Sequence, residues 1–346
     1  MPVSNKKVKR DIAEEITNRV IAALEEGTVP WRKPWSVRPG DIHRNYTSQK
    51  AYRGINPFML DLTAMAEGYG SAQWLTFKQA QAQSFRQYCK DNGLPITKDG
   101  KPNPESDKAY KAAIKANPSV YMGVKKGEKA TTVVYWHRYT FTPKNSEGSP
   151  MTDKDGMPVI VPAATPIPHS VFNLEQTGLP VEAIDEDGET REHTQHEDSE
   201  AVIARLKDDH GLMLQHGGKG AYYTPALDTV TMPDPEIFHN DESYYHTLYH
   251  EITHWTKHES RLNRKEPNHG GFGSEGYARE ELTAELGAAI VTHTLGIGTS
   301  DLEEQEAAYI ASWLKSLKND KSLILKAGSK AQAAADYILG VTYEEN

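Results

Sequence analysis

The stretch His250-Glu251-Ile252-Thr253-His254 has the pattern H-E-x-x-H. Residues four apart lie on the same face of a helix, so both imidazoles can point at one metal ion. The glutamate between them can reach a water molecule bound to that ion. The stretch therefore predicts a metal site with an adjacent general base, an arrangement that zinc hydrolases use.

The residues around this motif indicate the helix that it requires. Apolar and aromatic side chains recur at the i, i+3, i+4, i+7 spacing of a one-sided helix between residues 244 and 256, where neither proline nor glycine interrupts the chain. Asp241 and Ser243 precede this segment and can cap its N-terminus. The apolar positions are Tyr245, Leu248, Tyr249, Ile252 and Trp255.

A third protein ligand is expected downstream of the motif. His258 lies eight residues after His250, about 12 Å along a helix axis, so these two side chains cannot share an ion with ligand bonds of about 2 Å. The extended motif H-E-x-x-H-x-x-G-x-x-H is also absent, because Lys257 and Ser260 occupy its glycine and histidine positions. The ligand must come from another segment.

Residues 280–289 form a second predicted helix that carries suitable carboxylates. Glu281 and Glu285 are four residues apart, so one can bind the metal while the other accepts the free N–H of a ligating histidine. The pattern resembles that of the gluzincins, in which H-E-x-x-H is followed by a helix with E-x-x-x-D, although Glu285 replaces the aspartate. We expect His250, His254 and Glu281 to hold Zn²⁺, with Glu280 as the alternative ligand and Mn²⁺ or Fe²⁺ as alternative ions.

Composition limits the class of protein. A chain of 346 residues suggests about two domains. The single cysteine, Cys89, excludes an intrachain disulfide and is typical of a reducing cytoplasm. No apolar run approaches the roughly 20 residues that span a bilayer, and the charged N-terminus lacks the apolar segment of a signal peptide. We therefore expect a cytoplasmic protein with no membrane partner.

Charge is divided unequally along the chain. Residues 1–150 contain 24 Lys and Arg against 14 Asp and Glu, a net charge of +10, and the remainder has a net charge of −19, which gives −9 in total. Aromatic residues interleaved with cations in the basic half are typical of single-stranded nucleic-acid binding, because bases stack on rings while cations meet phosphates. The predicted DNA-binding residues are Trp31, Arg32, Lys33, Trp35, Tyr46, Tyr52, Arg53, Lys125, Lys126 and Lys129.

Nine stretches resemble the ArdC antirestriction family of plasmids and phages, which also occurs at the N-terminus of plasmid TraC-type primases. They follow the family order across nearly the whole chain. They are VPWRKPW, NYTSQKAYRGIN, WLTFKQAQ, VKKGEKATTVVYW, HSVFNLEQT, TVTMPDPEIF, YYHTLYHEITHWTKHESRLNR, YAREELTAELGAAI and AADYIL. A polar insertion at residues 84–118 separates the third stretch from the fourth.

The resemblance implies an α+β protein in a bacterial host cell. An N-terminal domain at residues 1–145 would bind single-stranded DNA, and a mostly helical, zincin-like metallopeptidase domain would occupy residues 201–346. Residues 146–200 are expected to connect them and to include an acidic linker. In zincins, extended peptides bind along an edge strand that precedes the H-E-x-x-H helix, which here would lie in residues 222–233.

Two functions remain open from the sequence. In the first, the chain is an antirestriction protein that binds single-stranded DNA and cleaves DNA-bound protein substrates, with Glu251 taking the proton of a metal-activated water. In the second, the chain is a non-catalytic DNA-binding protein that protects incoming DNA, and its metal site is structural or vestigial. Substitution of Glu251 distinguishes the two.

Overall fold

The computed structural model describes residues 11–31, 42–98, 101–181, 192–264, 275–298 and 306–342. Within these ranges, helices and sheets occur together in both halves of the chain, so the predicted α+β class is confirmed. The helices are α1 (Ile12–Glu25), α2 (Asn56–Glu67), α3 (Phe77–Asp91), α4 (Pro104–Ala116), α5 (Glu192–His210), α6 (Asp241–Trp255), α7 (Glu275–Thr294), α8 (Glu306–Asn319) and α9 (Leu323–Leu339). The strands are β1 (Arg44–Asn45), β2 (Gln73–Leu75), β3 (Thr97–Lys98), β4 (Lys101–Pro102), β5 (Thr131–Phe141), β6 (Val161–Asn173), β7 (Met213–Gln215), β8 (Tyr222–Thr224) and β9 (Thr229–Thr231).

The N-terminal half is organised around a mixed sheet with the described strand order β1-β2-β6-β5. Strands β5 and β6 form a long antiparallel hairpin that pairs from Thr131↔Val171 to Phe141↔Val161. Only the last two residues of β6 also pair with β2. Helix α2 packs on β5, and the Asn56 side chain bonds to both backbone groups of Val134. Most of the hairpin therefore extends beyond the rest of the sheet.

The predicted insertion at residues 84–118 forms a small substructure of its own. It contains the end of α3, the β3–β4 hairpin and α4, and Phe85, Cys89 and Tyr110 form a separate buried cluster. The Ser84 and Tyr110 hydroxyls lie 2.6 Å apart, which joins α3 to α4. The insertion can therefore pack without disturbing the sheet.

The C-terminal half is mostly helical. Helices α6, α7 and α9 make the densest contacts there, because each carries a broad apolar face toward the others. A small sheet with the described order β7-β9-β8 packs against α6, and β8 is antiparallel to β9 at its edge. The two short strands predicted within residues 222–233 are present as β8 and β9.

A single apolar core crosses the two halves of the sequence. It joins side chains of α1 and α2 to those of α6 through α9, and α1 packs directly against α8 and α9. Trp31 follows α1 and meets Trp313 edge-to-face, with ring centroids 5.3 Å apart. The N-terminal helix is therefore part of the C-terminal core, and the boundaries at residues 145 and 201 stay predictions.

The connection predicted for residues 146–200 contains more regular structure than expected. Residues 161–173 are β6, which pairs with β5 along most of its length and so belongs to the N-terminal sheet. At the other end, α5 begins at Glu192, within the segment predicted as an acidic linker. Charge dominates the composition of that segment but does not prevent a helix whose other end packs on α9. Residues 182–191 lie outside the described ranges.

Among the described helices, none combines the length and apolar character needed to cross a membrane.

Candidate metal centre

Helix α6 carries both histidines of the H-E-x-x-H motif. Its N-cap is Asn240, whose side-chain oxygen accepts the Ser243 N–H at 2.8 Å, one position before the Asp241 predicted for this role. Leu248, Ile252 and Trp255 are fully buried and hold the helix in the core. The opposite stripe, with His250 and His254, faces α7. The helix is thus fixed by its apolar face while its histidines point at a neighbouring helix.

Helix α7 approaches α6 closely because of one glycine. A Cβ atom placed on Gly287 would lie 2.7 Å from both Cγ2 and Oγ1 of Thr253, closer than real Cβ contacts allow. Thr253 is fully buried and cannot move aside freely. The glycine therefore lets α7 cross near His254, and the turns preceding it bring Glu281 and Glu285 against the histidines.

Gly287→Ala is expected to weaken both the fold and metal binding. The added methyl group overpacks the helix contact at a cost of about 1–3 kcal/mol, against a gain in helix propensity of about 1 kcal/mol. Chemical denaturation and metal titration measure the two effects. Thr253→Ala in the same chain should restore metal affinity, because it removes both atoms that the new methyl group meets. Failure of that second change to restore binding would contradict the role given to this contact.

Three donor groups converge between the two helices. The Nε2 atoms of His250 and His254 lie 3.1 Å apart. The Glu281 oxygens lie 3.5 Å from His250 Nε2 and 3.4 Å from His254 Nε2. All three ligand atoms fall within 4.8 Å of one another. Bonds of about 2.0–2.1 Å at tetrahedral angles would separate ligand atoms by roughly 3.3–3.4 Å, so the donor set fits a small divalent cation.

Buried carboxylates occupy the other nitrogen of each imidazole. Glu285 Oε1 lies 3.1 Å from His250 Nδ1, and Glu280 Oε1 lies 3.3 Å from His254 Nδ1. A carboxylate on Nδ1 selects the tautomer whose Nε2 lone pair is free for a metal. Glu285 thus occupies the place expected for an orienting residue. Glu280, the alternative ligand, instead contacts the far side of His254 from Glu281.

Two further residues of the centre were not identified from the sequence. Arg264 donates a 2.8 Å hydrogen bond to Glu280 Oε1 and another to the Thr253 carbonyl at 2.7 Å, so it ties the loop after α6 to both helices. His246 Nε2 lies 3.6 Å from Glu285 Oε2. Its spacing of four before His250 is a signal that could have indicated it, whereas no periodic pattern marks Arg264.

Burial and pairing shift the ionisation of the whole cluster. Burial alone would lower the pKa of His250, but hydrogen bonds to Glu281 and Glu285 outweigh it and raise the pKa well above 6.5. The pKa of His254 is raised in the same way, against burial, by Glu280 and Glu281. Burial would raise the carboxylate values, yet His254 and Arg264 lower the pKa of Glu280 to about 2, and both histidines lower the pKa of Glu281. The metal-free cluster therefore favours imidazolium–carboxylate pairs.

Metal affinity is expected to rise with pH. An imidazolium must lose a proton before it can bind a metal, so each raised histidine pKa makes binding release a proton. Affinity should increase about tenfold per pH unit for each proton released, until pH exceeds both histidine pKa values.

The free energy of unfolding of the metal-free chain should instead fall as pH rises. The raised histidine pKa values contribute stability that is fully present below the unfolded pKa of about 6.5 and is lost as pH rises through the folded pKa values.

Competition titrations with a chelator at several pH values measure the metal affinity. A flat affinity profile between about pH 6 and pH 8 would contradict the raised pKa values.

The structure brings few of the predicted DNA-binding residues to an open surface. The prediction that Trp31 binds DNA is wrong, because its side chain is fully buried against Trp313 and cannot stack on a base. Tyr52 is 4% exposed and belongs to the cluster beneath the sheet. Tyr46 is half-buried against the cluster that contains Leu75. Arg32, Lys33 and Trp35 lie outside the described residues.

The cations predicted to bind DNA are divided between a contact inside the protein and an exposed turn. Arg53 pairs with Asp336 on α9, and the adjacent Gly54 N–H donates to Gln332 at 2.9 Å, so this segment is a contact between the two halves of the chain. Lys125, Lys126 and Lys129 are exposed on the turn before β5. Lys125 also donates to the Glu175 carbonyl at 2.9 Å, which fixes the turn to the end of β6.

Comparison with known proteins gives two family matches in the order predicted from the sequence. Residues 10–171 match the N-terminal domain of anti-restriction factor ArdC, and residues 201–330 match the zincin-like metallopeptidase model. The first match ends inside β6, in agreement with the pairing of that strand to β5.

A solved structure matches both parts together. The antirestriction ArdC protein from plasmid R388 is 33% identical, with a TM-score of 0.62 over 96% of this chain and 97% of that chain. It is described in a metal-free and in an Mn(II)-bound form.

Curated relatives match over nearly the whole chain as well. Two DNA primases TraC from Escherichia coli are 34% and 32% identical over 96% and 97% of this chain, which spans 27% and 20% of their lengths. The uncharacterized protein y4eC from Sinorhizobium fredii is 32% identical over 95% of this chain and 91% of its own length.

Proposed function

Because this chain belongs to the ArdC family of antirestriction proteins and has a zincin-like metallopeptidase domain, we propose that it is a metal-dependent peptidase that cleaves proteins while it is bound to single-stranded DNA. One observation carries the catalytic part. His250, His254 and Glu281 direct three donor groups at one point, while buried carboxylates hold the far nitrogens of both imidazoles. A structural helix contact would not require five ionisable groups in this arrangement.

Zn²⁺ is the ion that we propose for this centre. Two imidazoles and one carboxylate from two helices match the ligand set of hydrolytic zinc sites, which leave a further position open to water or substrate. A bound divalent cation would supply Lewis-acid polarisation of a carbonyl and a lower pKa for water. Mn²⁺ and Fe²⁺ accept the same donors, and elemental analysis of protein purified without chelator identifies the ion.

Glu251 is the proposed general base. It lies between the two histidines on α6, and the residue is buried, with 8% of its surface exposed. Such a carboxylate takes a proton from the attacking water and returns it to the leaving amine. Tyr277, one turn before Glu281 on α7, is the candidate for stabilising the oxyanion.

The proposed substrate is an extended polypeptide. Strand β8 packs against α6 and lies at the edge of the described C-terminal sheet, with β9 on its other side. An open edge strand accepts an added strand through backbone hydrogen bonds. A peptide bound there would run past the H-E-x-x-H helix, which suits a peptidase with little dependence on side-chain sequence.

DNA binding is proposed for the N-terminal half. Residues 1–150 have a net charge of +10, and Lys125, Lys126 and Lys129 are exposed on one turn. Replacing Lys126 and Lys129 by alanine should weaken binding of a fluorescent oligothymidylate. It should also reduce the dependence of log K on log salt by about 0.7 for each phosphate that the variant no longer neutralises. An unchanged slope would remove this turn from the DNA-binding surface.

We propose that DNA binding directs the peptidase to its substrates. Two sites on one chain raise the effective concentration of a substrate held on the same DNA. The test is a cleavage assay with one substrate protein, made with and without a fused single-strand-binding module, each with and without oligonucleotide. Faster cleavage of the fused substrate, only when DNA is present, is expected. Equal rates in all four reactions would exclude this mechanism.

A further inference from the structure

The far part of the β5–β6 hairpin exposes an unusual number of aromatic side chains. We call residues 135–141 and 161–167 the ribbon. Val133 and Val134 are buried, but every later residue of β5 is exposed. Tyr135, Tyr139 and Phe141 are 49%, 44% and 45% exposed. Large exposed apolar patches on soluble proteins mark binding sites more often than chance.

These rings form a row on one face of the ribbon. Side chains alternate between the faces of a strand, so Tyr135, His137, Tyr139 and Phe141 share a face, and Trp136 lies on the other. Ring centroids of His137 and Tyr139 are 5.9 Å apart, and those of Tyr139 and Phe141 are 6.4 Å apart. Ala163 is paired to Tyr139 and Thr165 to His137, so small residues stand opposite the middle of the row. Ile167 is paired to Tyr135, which also meets His169 edge-to-face, and Val161 is paired to Phe141. The middle of the row is therefore the most accessible part.

The charge around the row suits an anionic ligand. Arg138 lies on the opposite face with Trp136, and the loop beyond the ribbon holds Glu147, Asp153 and Asp155 beside Lys144 and Lys154. Strands β5 and β6 themselves carry no aspartate or glutamate. This is notable in a chain with a net charge of −9. Rings on strands without carboxylates, preceded along the chain by the basic turn of Lys125, Lys126 and Lys129, match the requirements of a DNA strand that offers bases and phosphates together.

The spacing of the row also suits bases. Alternate residues of a β-strand are about 6.6–6.8 Å apart, which is twice the rise of about 3.4 Å per nucleotide in a stacked DNA strand. Successive rings can therefore each meet a separate base. Double-stranded DNA keeps its base faces covered, so the row selects single strands.

The outer edge of β6 is protected from pairing with a second copy of the chain. Both backbone groups of Val134 face Asn56 rather than β6. By the alternation of antiparallel ladders, its partner Pro168 also faces outward, as do Pro166 and Pro162. Proline has no N–H to donate, so this edge resists sheet extension.

We propose that the aromatic row of the ribbon, Tyr135, His137, Tyr139 and Phe141, is a base-stacking site for single-stranded DNA. The inference rests on the proposed DNA-binding function and assigns it a second surface, which follows the basic turn along the chain. The turn attracts phosphates, and the row holds bases without regard to sequence.

The test measures oligothymidylate affinity of the full chain by fluorescence anisotropy. Replacing Tyr139 and Phe141 together by leucine keeps apolar bulk but removes the rings, and should raise the Kd about 10-fold to 100-fold. The salt slope should stay unchanged, because the variant retains every cation. Tyr139→Phe should retain wild-type affinity, since stacking uses the ring and not the hydroxyl. Trp136→Leu, on the opposite face, is the matched control and should change the Kd less than about twofold.

A second readout locates the DNA directly. Photo-crosslinking with a 5-bromodeoxyuridine oligonucleotide, followed by trypsin, should label the peptide from Tyr139 to Lys144, which cleavage after Arg138 and Lys144 releases. Wild-type affinity in the double leucine variant would overturn the stacking site while leaving DNA binding by the turn intact. Absence of DNA binding by the wild type would overturn both. Loss of a dimer by the double variant, with unchanged DNA affinity, would assign the row to self-association instead.

Discussion

Replacing Glu251 by glutamine is expected to lower peptide hydrolysis about 10²–10⁴-fold while the metal content stays the same as in the wild type. Glutamine has the same shape as glutamate, so it should fit the buried position on α6 without disturbing the histidines on either side. It cannot accept a proton from water. The measurements are the rate of hydrolysis of unfolded casein and elemental analysis of the same protein.

Glu259→Gln is the matched control for this experiment. Glu259 is exposed just after α6, so its loss changes net charge equally without touching the centre. It should leave hydrolysis and metal content unchanged. Wild-type hydrolysis by the Glu251 variant would contradict the assignment of the general base.

The same substitution separates the two functions that the sequence leaves open. If antirestriction in a DNA-transfer assay is lost with Glu251→Gln while DNA affinity and metal content persist, catalysis is part of the function. If antirestriction survives that change but is lost with the lysine or leucine variants of the DNA surfaces, the chain acts by binding DNA and its metal centre is not catalytic. Each outcome excludes the other.

Replacing Glu281 by alanine is expected to lower metal affinity by more than about 100-fold. Loss of a residue that only orients a ligand typically costs 10–100-fold, and Glu281 supplies the carboxylate that faces both Nε2 atoms. Hydrolysis should fall with the metal content. Chelator competition measures the affinity, and circular dichroism checks that the helices remain.

Glu285→Gln provides the graded comparison. It should cost about 10–100-fold in metal affinity, because it weakens the contact with His250 Nδ1 but leaves all three donors in place. Equal metal affinities in the wild type and the Glu281→Ala variant would contradict the proposed ligand set.

Local pattern was sufficient to predict the helices of the metal centre but not all of its contacts. The spacing of His250 and His254 fixes their common face on any helix, and residues 280–289 are helical by composition. Which carboxylate meets which nitrogen depends on how α7 crosses α6. That crossing is set by the close approach of Gly287 to Thr253, two residues far apart in sequence and in no shared repeat. For the same reason Arg264 could not be predicted.

For the predicted DNA-binding residues, the local sequence pattern indicates the wrong exposure. Trp31 lies among cations, as a stacking residue would, but its partner Trp313 comes from α8 and buries it. Tyr135 and Trp136 belong to a β-branched and aromatic run that is typical of a core strand. They are exposed because β5 continues past α2, and strand length relative to its cover is not encoded in local periodicity.

Calorimetric titration of the chelator-treated wild-type chain with Zn²⁺ at pH 7.5, repeated in two buffers of different ionisation enthalpy, tests the metal centre most directly. One ion should bind per chain, with proton release that makes the apparent binding enthalpy depend on the buffer. Absence of saturable binding would contradict the metal centre and, with it, the proposed peptidase. The antirestriction role would then rest on DNA binding alone.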